Sequence, residues 1–270
     1  MRLSDVVVAR SVSYRYGDVP ALAESSFTIP EGAVTTLIGP NGSGKSTLLH
    51  AIAGLVSPVS GSLDVVGERR IAYVLQATKV NEALPVTVRE VVTMGRYATA
   101  GPHRRLTAVD RAAVDAALER MGITALAGRH LRDLSGGQRQ RVFVAQGIVQ
   151  EHDLLLLDEP LTGLDLASAR AIDDVLHEEQ ASGHTVVITS HDLNEAAAGD
   201  WVILLAGRVV ACGPPQTVLT GEHLVAAYGS ILLHGTGEEL ILEDPAHRPV
   251  SGRHEHGIRT GELPAPGDHL

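Results

Sequence analysis

The apolar and β-branched run Val34-Thr35-Thr36-Leu37-Ile38 leads straight into Gly39-Pro40-Asn41-Gly42-Ser43-Gly44-Lys45-Ser46-Thr47. The run reads as a buried strand. Residues 46–53 read as a helix, with Gly54 as its stop. A glycine-rich segment between strand and helix leaves few folds open, because it must aim a helix N-terminus back over a strand end. Gly39-x-x-x-x-Gly44-Lys45-Ser46 fits the P-loop pattern. In such a loop the backbone N–H groups and the positive end of the helix converge on an anion. Lys45 is then expected to reach β- and γ-phosphates, and the Ser46 hydroxyl to ligate Mg²⁺. A plain glycine-rich turn opening a helix is the alternative, and the flanking strand and helix weigh against it.

The rest of the chain surrounds this unit. Residues 5–38 hold short β-type runs, Val6-Val7-Val8, Val12-Ser13-Tyr14 and Ser26-Phe27-Thr28-Ile29, punctuated by Tyr16-Gly17-Asp18 and Pro30-Glu31-Gly32. Strand character returns over 61–75. From about 85 to 150 the pattern is mostly helical, with Thr107-x-x-Asp110 as a capping box and Gly122 closing that helix. Strands at 154–157, 186–189 and 201–205 follow, with a helix over 165–181 between the first two. This alternation predicts an α/β core with a mostly parallel sheet, interrupted by a helical insert. The last stretch, 244–270, is rich in Pro, Gly and His and reads as a loosely ordered tail after a domain spanning 1–243.

Leu154-Leu155-Leu156-Leu157 ends in Asp158-Glu159. Two carboxylates at the end of a buried strand are costly unless paired or metal-bound. Such a pair also occurs as a solvated turn, but beside a phosphate loop it reads as chemistry. Asp158 would complete the Mg²⁺ shell with Ser46, and Glu159 would polarise an attacking water. The net charge of −10 argues against a nucleic-acid partner. Cys212 is the single cysteine, so no intrachain disulfide can form. The N-terminus lacks a signal-peptide pattern, and no apolar stretch approaches the roughly 20 residues of a membrane helix.

Four further features resemble one family. Leu134-Ser135-Gly136-Gly137-Gln138 is similar to the signature motif of ABC ATPases, and Gln76, after Ile71-Ala72-Tyr73-Val74-Leu75, to that family's Q-loop glutamine. Leu161-Thr162-Gly163-Leu164-Asp165 resembles its D-loop, and His191, after Val187-Ile188-Thr189-Ser190, its switch histidine. All stand in the family's order, and the resemblance runs over about 5–229. Ser135-x-x-Gln138 is also a capping-box pattern. The resemblance implies a P-loop NTPase core with an N-terminal antiparallel β-subdomain and a helical subdomain inserted at about 85–150. It implies ATP bound by residues 39–47 and Tyr16, with Mg²⁺ held by Ser46, Asp158 and Gln76. Catalysis would fall to Glu159, His191, Lys45 and Gln76. Ser135, Gly136, Gly137 and Gln138 would meet the γ-phosphate of ATP on a second copy, in a head-to-tail homodimer, with Asp165 in the D-loop. Tyr14 competes with Tyr16 for stacking on adenine; Gly17 favours Tyr16 by letting the chain turn beside it. The implied partners are integral-membrane permease subunits and an extracytoplasmic substrate-binding protein. That places the chain in the cytoplasm, peripheral on the inner face of the membrane.

The cargo rests on weaker features. Met94-Gly95-Arg96-Tyr97, the stretch 161–165 and Ala226-Ala227-Tyr228-Gly229 resemble ATPases of zinc, manganese and iron importers. Siderophore and cobalamin importers, and soluble ABC ATPases of metal-cluster assembly, are the alternatives. Within residues 77–105, Leu84, Val88, Met94 and Tyr97 are candidates for a groove that takes a permease helix, or else core of the insert. His254-x-His256, with His247 and His269, offers imidazoles in the tail, or incidental polar residues there.

Overall fold

The computed structural model describes residues 4–75, 85–100 and 105–229, with side chains of 99 and 100 excepted. Strands β1 (Asp5–Tyr16) and β2 (Val19–Pro30) form an antiparallel hairpin. The sequence showed broken runs here because β1 is irregular: its register shifts near Ser11, which has φ 47°. Such bulges break the two-residue period that marks a strand. β3 (Val34–Ile38) follows, then α1 (Lys45–Ile52). β4 (Ser60–Val65) joins the hairpin as a three-stranded sheet of order β2-β1-β4.

The larger sheet adds β5 (Ile71–Val74), β6 (Leu154–Leu157), β7 (Thr185–Ser190), β8 (Trp201–Leu205) and β9 (Val209–Gly213). Its order is β5-β6-β7-β3-β8-β9. All neighbours run parallel except β9, which pairs antiparallel with β8. Every residue of β3, β6 and β7 is buried, which explains why apolar and β-branched residues fill them with no charged position: both faces are covered. The two faces still divide by alternation. Leu154 and Leu156 pack with Leu37, α1 and the β1–β2 hairpin, whereas Leu155 and Leu157 pack toward the helices of the insert.

That insert consists of α2 (Val88–Ala100), α3 (Ala108–Arg120) and α4 (Gly136–Ile148). Thr107 and Asp110 make the expected capping box, and Gly122 has the left-handed φ of a helix stop. In Met94-Gly95-Arg96-Tyr97 the two central residues are structural. A Cβ at Gly95 would collide with the Gln146 carbonyl oxygen and Val149 Cγ1 of α4. Arg96 is buried; its guanidinium donates to Asp110 Oδ1 from Nη2 (2.8 Å) and Nε (3.0 Å), and to the Val149 carbonyl from Nη1 (3.0 Å). Of the groove candidates, Val88 is fully buried core, while Met94 and Tyr97 are exposed; Leu84 lies outside the described residues. The chain continues through α5 (Leu166–Ala181), α6 (Leu193–Ala198), α7 (Pro215–Val218) and α8 (Gly221–Tyr228). Among the described residues, no helix is long and apolar enough to cross a membrane. The tail at 244–270 lies outside the described residues.

Candidate functional site

The C-terminal ends of β3, β6 and β7 lie side by side, and the sequence places a different chemical group just beyond each. β3 delivers residues 39–46. Gly39, Gly42 and Gly44 all have positive φ, so the loop curls over the start of α1. Asn41, Gly42, Ser43, Gly44, Lys45, Ser46 and Thr47 line an open cleft of about 280 Å³ with Tyr16, Ala21 and Glu159. Tyr16, half-exposed at the end of β1, presents its ring there, whereas Tyr14 is 2% exposed and belongs to the core. Pro40 turns the loop at its entry, and its carbonyl accepts a bond from the Ser43 N–H.

Lys45 is buried, and its Nζ donates to the carbonyls of Gly39 (2.6 Å) and Pro40 (3.1 Å). Burial lowers its pKa below the ordinary lysine value, and the nearby Glu159 and Asp158 carboxylates oppose that shift. β6 delivers the two acids. Asp158 is buried; its Oδ1 accepts from Thr189 Oγ1 at 2.9 Å and from Ser46 Oγ at 3.4 Å. Glu159 is a non-glycine residue at φ 49°, a costly conformation that turns the chain sharply at the strand end. Its backbone N–H donates to Thr189 Oγ1 at 2.7 Å. β7 delivers His191, whose Nε2 lies 2.7 Å from Glu159 Oε1. The flanking chain is fixed as well: Ser190 Oγ accepts from the Asp192 N–H and donates to Glu195 Oε2.

Thr189 is the site residue that sequence reasoning missed. It accepts from Glu159 and donates to Asp158, so it locks the end of β7 to both acids. Its signal was one hydroxyl among three in β7, beside Thr185 and Ser190, and β-propensity alone explains a threonine there equally well.

Ser135 to Gln138 stand apart from this cleft and are not among its lining residues. Ser135 caps α4 in a reciprocal box: the Gln138 N–H donates to Ser135 Oγ, and the Ser135 N–H to Gln138 Oε1. Ser135 and Gly136 are exposed, Gln138 is half-buried and Gly137 is buried. Asp165 caps α5, accepting from the Ser168 N–H and hydroxyl, and these bonds lower its pKa. A side chain on Gly137 would collide with Ser168 Oγ and Asp165 Oδ2. The starts of α4 and α5 thus approach closely at Gly137. Gln76 lies outside the described residues.

Residues 22–162 match the sequence model of the family described as ABC transporter. The chain is 40% identical to the manganese transport system ATP-binding protein MntB of Bacillus subtilis over 229 residues, covering 82% of this chain and 92% of that protein. It is 41% identical to the zinc transport system ATP-binding protein TroB of Treponema pallidum over 246 residues, covering 87% and 92%. A metal-chelate type ABC transporter solved in an inward-facing conformation superposes with a TM-score of 0.75 at 29% identity, covering 83% of this chain and 89% of that one. A phosphate loop, an acidic pair and a histidine gathered at three parallel strand ends, together with these likenesses, lead to one conclusion: the chain belongs to the ABC transporter family, as an ATP-binding ATPase subunit.

Proposed function

We propose that this chain hydrolyses Mg-ATP in a head-to-tail dimer and so drives uptake of zinc, manganese or iron through a permease. The observation that carries the catalytic part is the 2.7 Å contact between Glu159 Oε1 and His191 Nε2, with Glu159 lining the cleft of the phosphate loop. Residues 39–47 bind the phosphates through backbone N–H groups, and Tyr16 stacks on adenine. Lys45 stabilises charge on the transferred phosphoryl group. Glu159 accepts a proton from the attacking water, and His191 holds that carboxylate in place. The Ser46 hydroxyl and Asp158 carboxylate, 3.4 Å apart, are hard oxygen donors that suit Mg²⁺, with Gln76 as a third contact. Mg²⁺, when bound, neutralises charge on the β- and γ-phosphates.

The dimer reading is supported by the exposure of Ser135 and Gly136 and by the separation of residues 135–138 from the cleft in their own chain. They are free to face ATP on a partner copy. The metal cargo is supported by the manganese and zinc relatives at 40% and 41% identity. A chelate cargo has the support of the metal-chelate type transporter, at the lower identity of 29%. The permease and a substrate-binding protein complete the assembly, with this subunit on the cytoplasmic face. The test is affinity purification from membranes, followed by ATP-dependent uptake of radioactive zinc, manganese and iron in reconstituted vesicles. Co-purification of a permease with uptake of a free ion is expected. Recovery of soluble partners alone would instead indicate metal-cluster assembly.

A further inference from the structure

The end of the sheet opposite the phosphate loop, where β6 and β7 begin, carries a second cluster of ligating side chains. His152 stands just before β6, His184 just before β7, and Glu179 in the last turns of α5. One nitrogen from each histidine and a Glu179 oxygen all lie within 4.8 Å of one another. His152 Nε2 is 3.1 Å and His184 Nδ1 2.7 Å from the same atom, Glu179 Oε2. Ligand atoms bound at 2.0–2.1 Å to a tetrahedral ion stand about 3.4 Å apart, so small side-chain shifts would admit one.

Two details go beyond proximity. His152 is buried, and its Nδ1 is 2.8 Å from the Gln150 carbonyl oxygen, which can only accept. Nδ1 therefore donates to that carbonyl, and Nε2 is the nitrogen turned toward Glu179 Oε2, where an ion would stand between them. Metal-binding histidines are oriented by such a bond from their other nitrogen. Glu179 is also held: Arg120 Nη1 donates to its Oε1 at 2.7 Å, leaving Oε2 to face both histidines. The Arg120 guanidinium also reaches Glu178 Oε2 at 3.0 Å, so its charge is shared between two carboxylates. All three candidate ligands line an open cleft of about 710 Å³, which gives an ion access and leaves room for a water in a fourth position.

We propose that His152, Glu179 and His184 form a three-ligand site for Zn²⁺, separate from the nucleotide site. Two imidazoles and one carboxylate suit zinc better than the oxygen-preferring Mg²⁺ or Mn²⁺. The test uses the full chain with the tail residues His247, His254, His256 and His269 changed to Ala, so that they do not contribute. Zn²⁺ is titrated against a chromogenic chelator, and Co²⁺ is added as a spectroscopic probe. One Zn²⁺ per chain and the intense visible absorption of four-coordinate Co²⁺ are expected. His184→Ala, at the most exposed of the three ligands, should weaken Zn²⁺ binding by about 100-fold or more and abolish that absorption. X-ray absorption of the Zn²⁺-loaded chain should show two imidazoles and should not depend on any variant folding. Failure to bind Zn²⁺ at micromolar concentration, or equal affinity in folded His184→Ala, would overturn the site and leave a hydrogen-bonded His–Glu–Arg cluster.

Discussion

At the scale of single residues, the proposed catalysis concentrates on Glu159 and its supports. Glu159→Gln keeps the shape but removes the base. Steady-state ATP hydrolysis should fall about 10²–10⁴-fold, with nucleotide affinity retained. Wild-type turnover in this variant would remove Glu159 from its role. Thr189→Val tests the lock at the end of β7. It removes the hydroxyl that accepts from the Glu159 N–H and donates to Asp158. Hydrolysis should drop while ATP binding through residues 39–47 persists, and an unchanged rate would show that the lock is only structural. Thr189 also marks a limit of sequence reading. Glu159, Asp158, Lys45 and Ser46 were legible because charge and hydroxyl groups at strand ends demand a reason. A threonine inside a strand demands none, and only the pairing of β6 with β7 reveals its use.

At the scale of elements, α4 has two jobs that a single substitution separates. Ser135 caps the helix, and aspartate is an equally good cap. Ser135→Asp should therefore melt within a few degrees of the parent, yet lose ATPase activity because its charge repels the triphosphate. Retained ATPase activity in this variant would mean that the serine acts only as a cap. The α2–α4 crossing depends on Gly95. Gly95→Ala should cost about 1–3 kcal/mol by overpacking, read as a thermal shift of a few degrees. The α2–α3 junction is pH-sensitive through Asp110. Bonds from the Thr107 side chain and backbone and from Arg96 hold its carboxyl well below the usual carboxylate range. Its stabilising contribution is thus complete above the unfolded-state value near pH 4 and fades as pH falls toward the depressed folded value. Asp110→Asn should be less stable than the parent at pH 6, with the gap closing in acid, as urea melts would show. A constant gap would sever that link. The sequence marked the Thr107–Asp110 cap correctly but gave no hint that Arg96 would join it from another helix.

At the scale of the whole molecule, the core strands β3, β6, β7 and β8 were legible because each is a run of apolar and β-branched residues flanked by breakers, whereas β9 and the short helices α6, α7 and α8 were not marked. The long hairpin was legible only in pieces, because the irregular register of β1 hides its period. The arrangement β5-β6-β7-β3-β8-β9 was not legible, since crossovers leave no trace in local pattern. It is this order that sets the phosphate loop, the acidic pair and the histidine side by side. It also leaves Ser135 and Gly136 exposed and away from the cleft of their own chain. The central claim is that a complete ATP site takes the loop from one chain and the signature from another. Mixing two defective chains, Lys45→Ala and Ser135→Arg, tests it most directly. In a mixed dimer one site joins an intact Lys45 to an intact Ser135, although neither chain has both. The mixture should retain Mg-ATP and hydrolyse it where each variant alone does not. A mixture as inactive as its components, with mixed dimers present, would place both halves of the site in one chain and contradict the account.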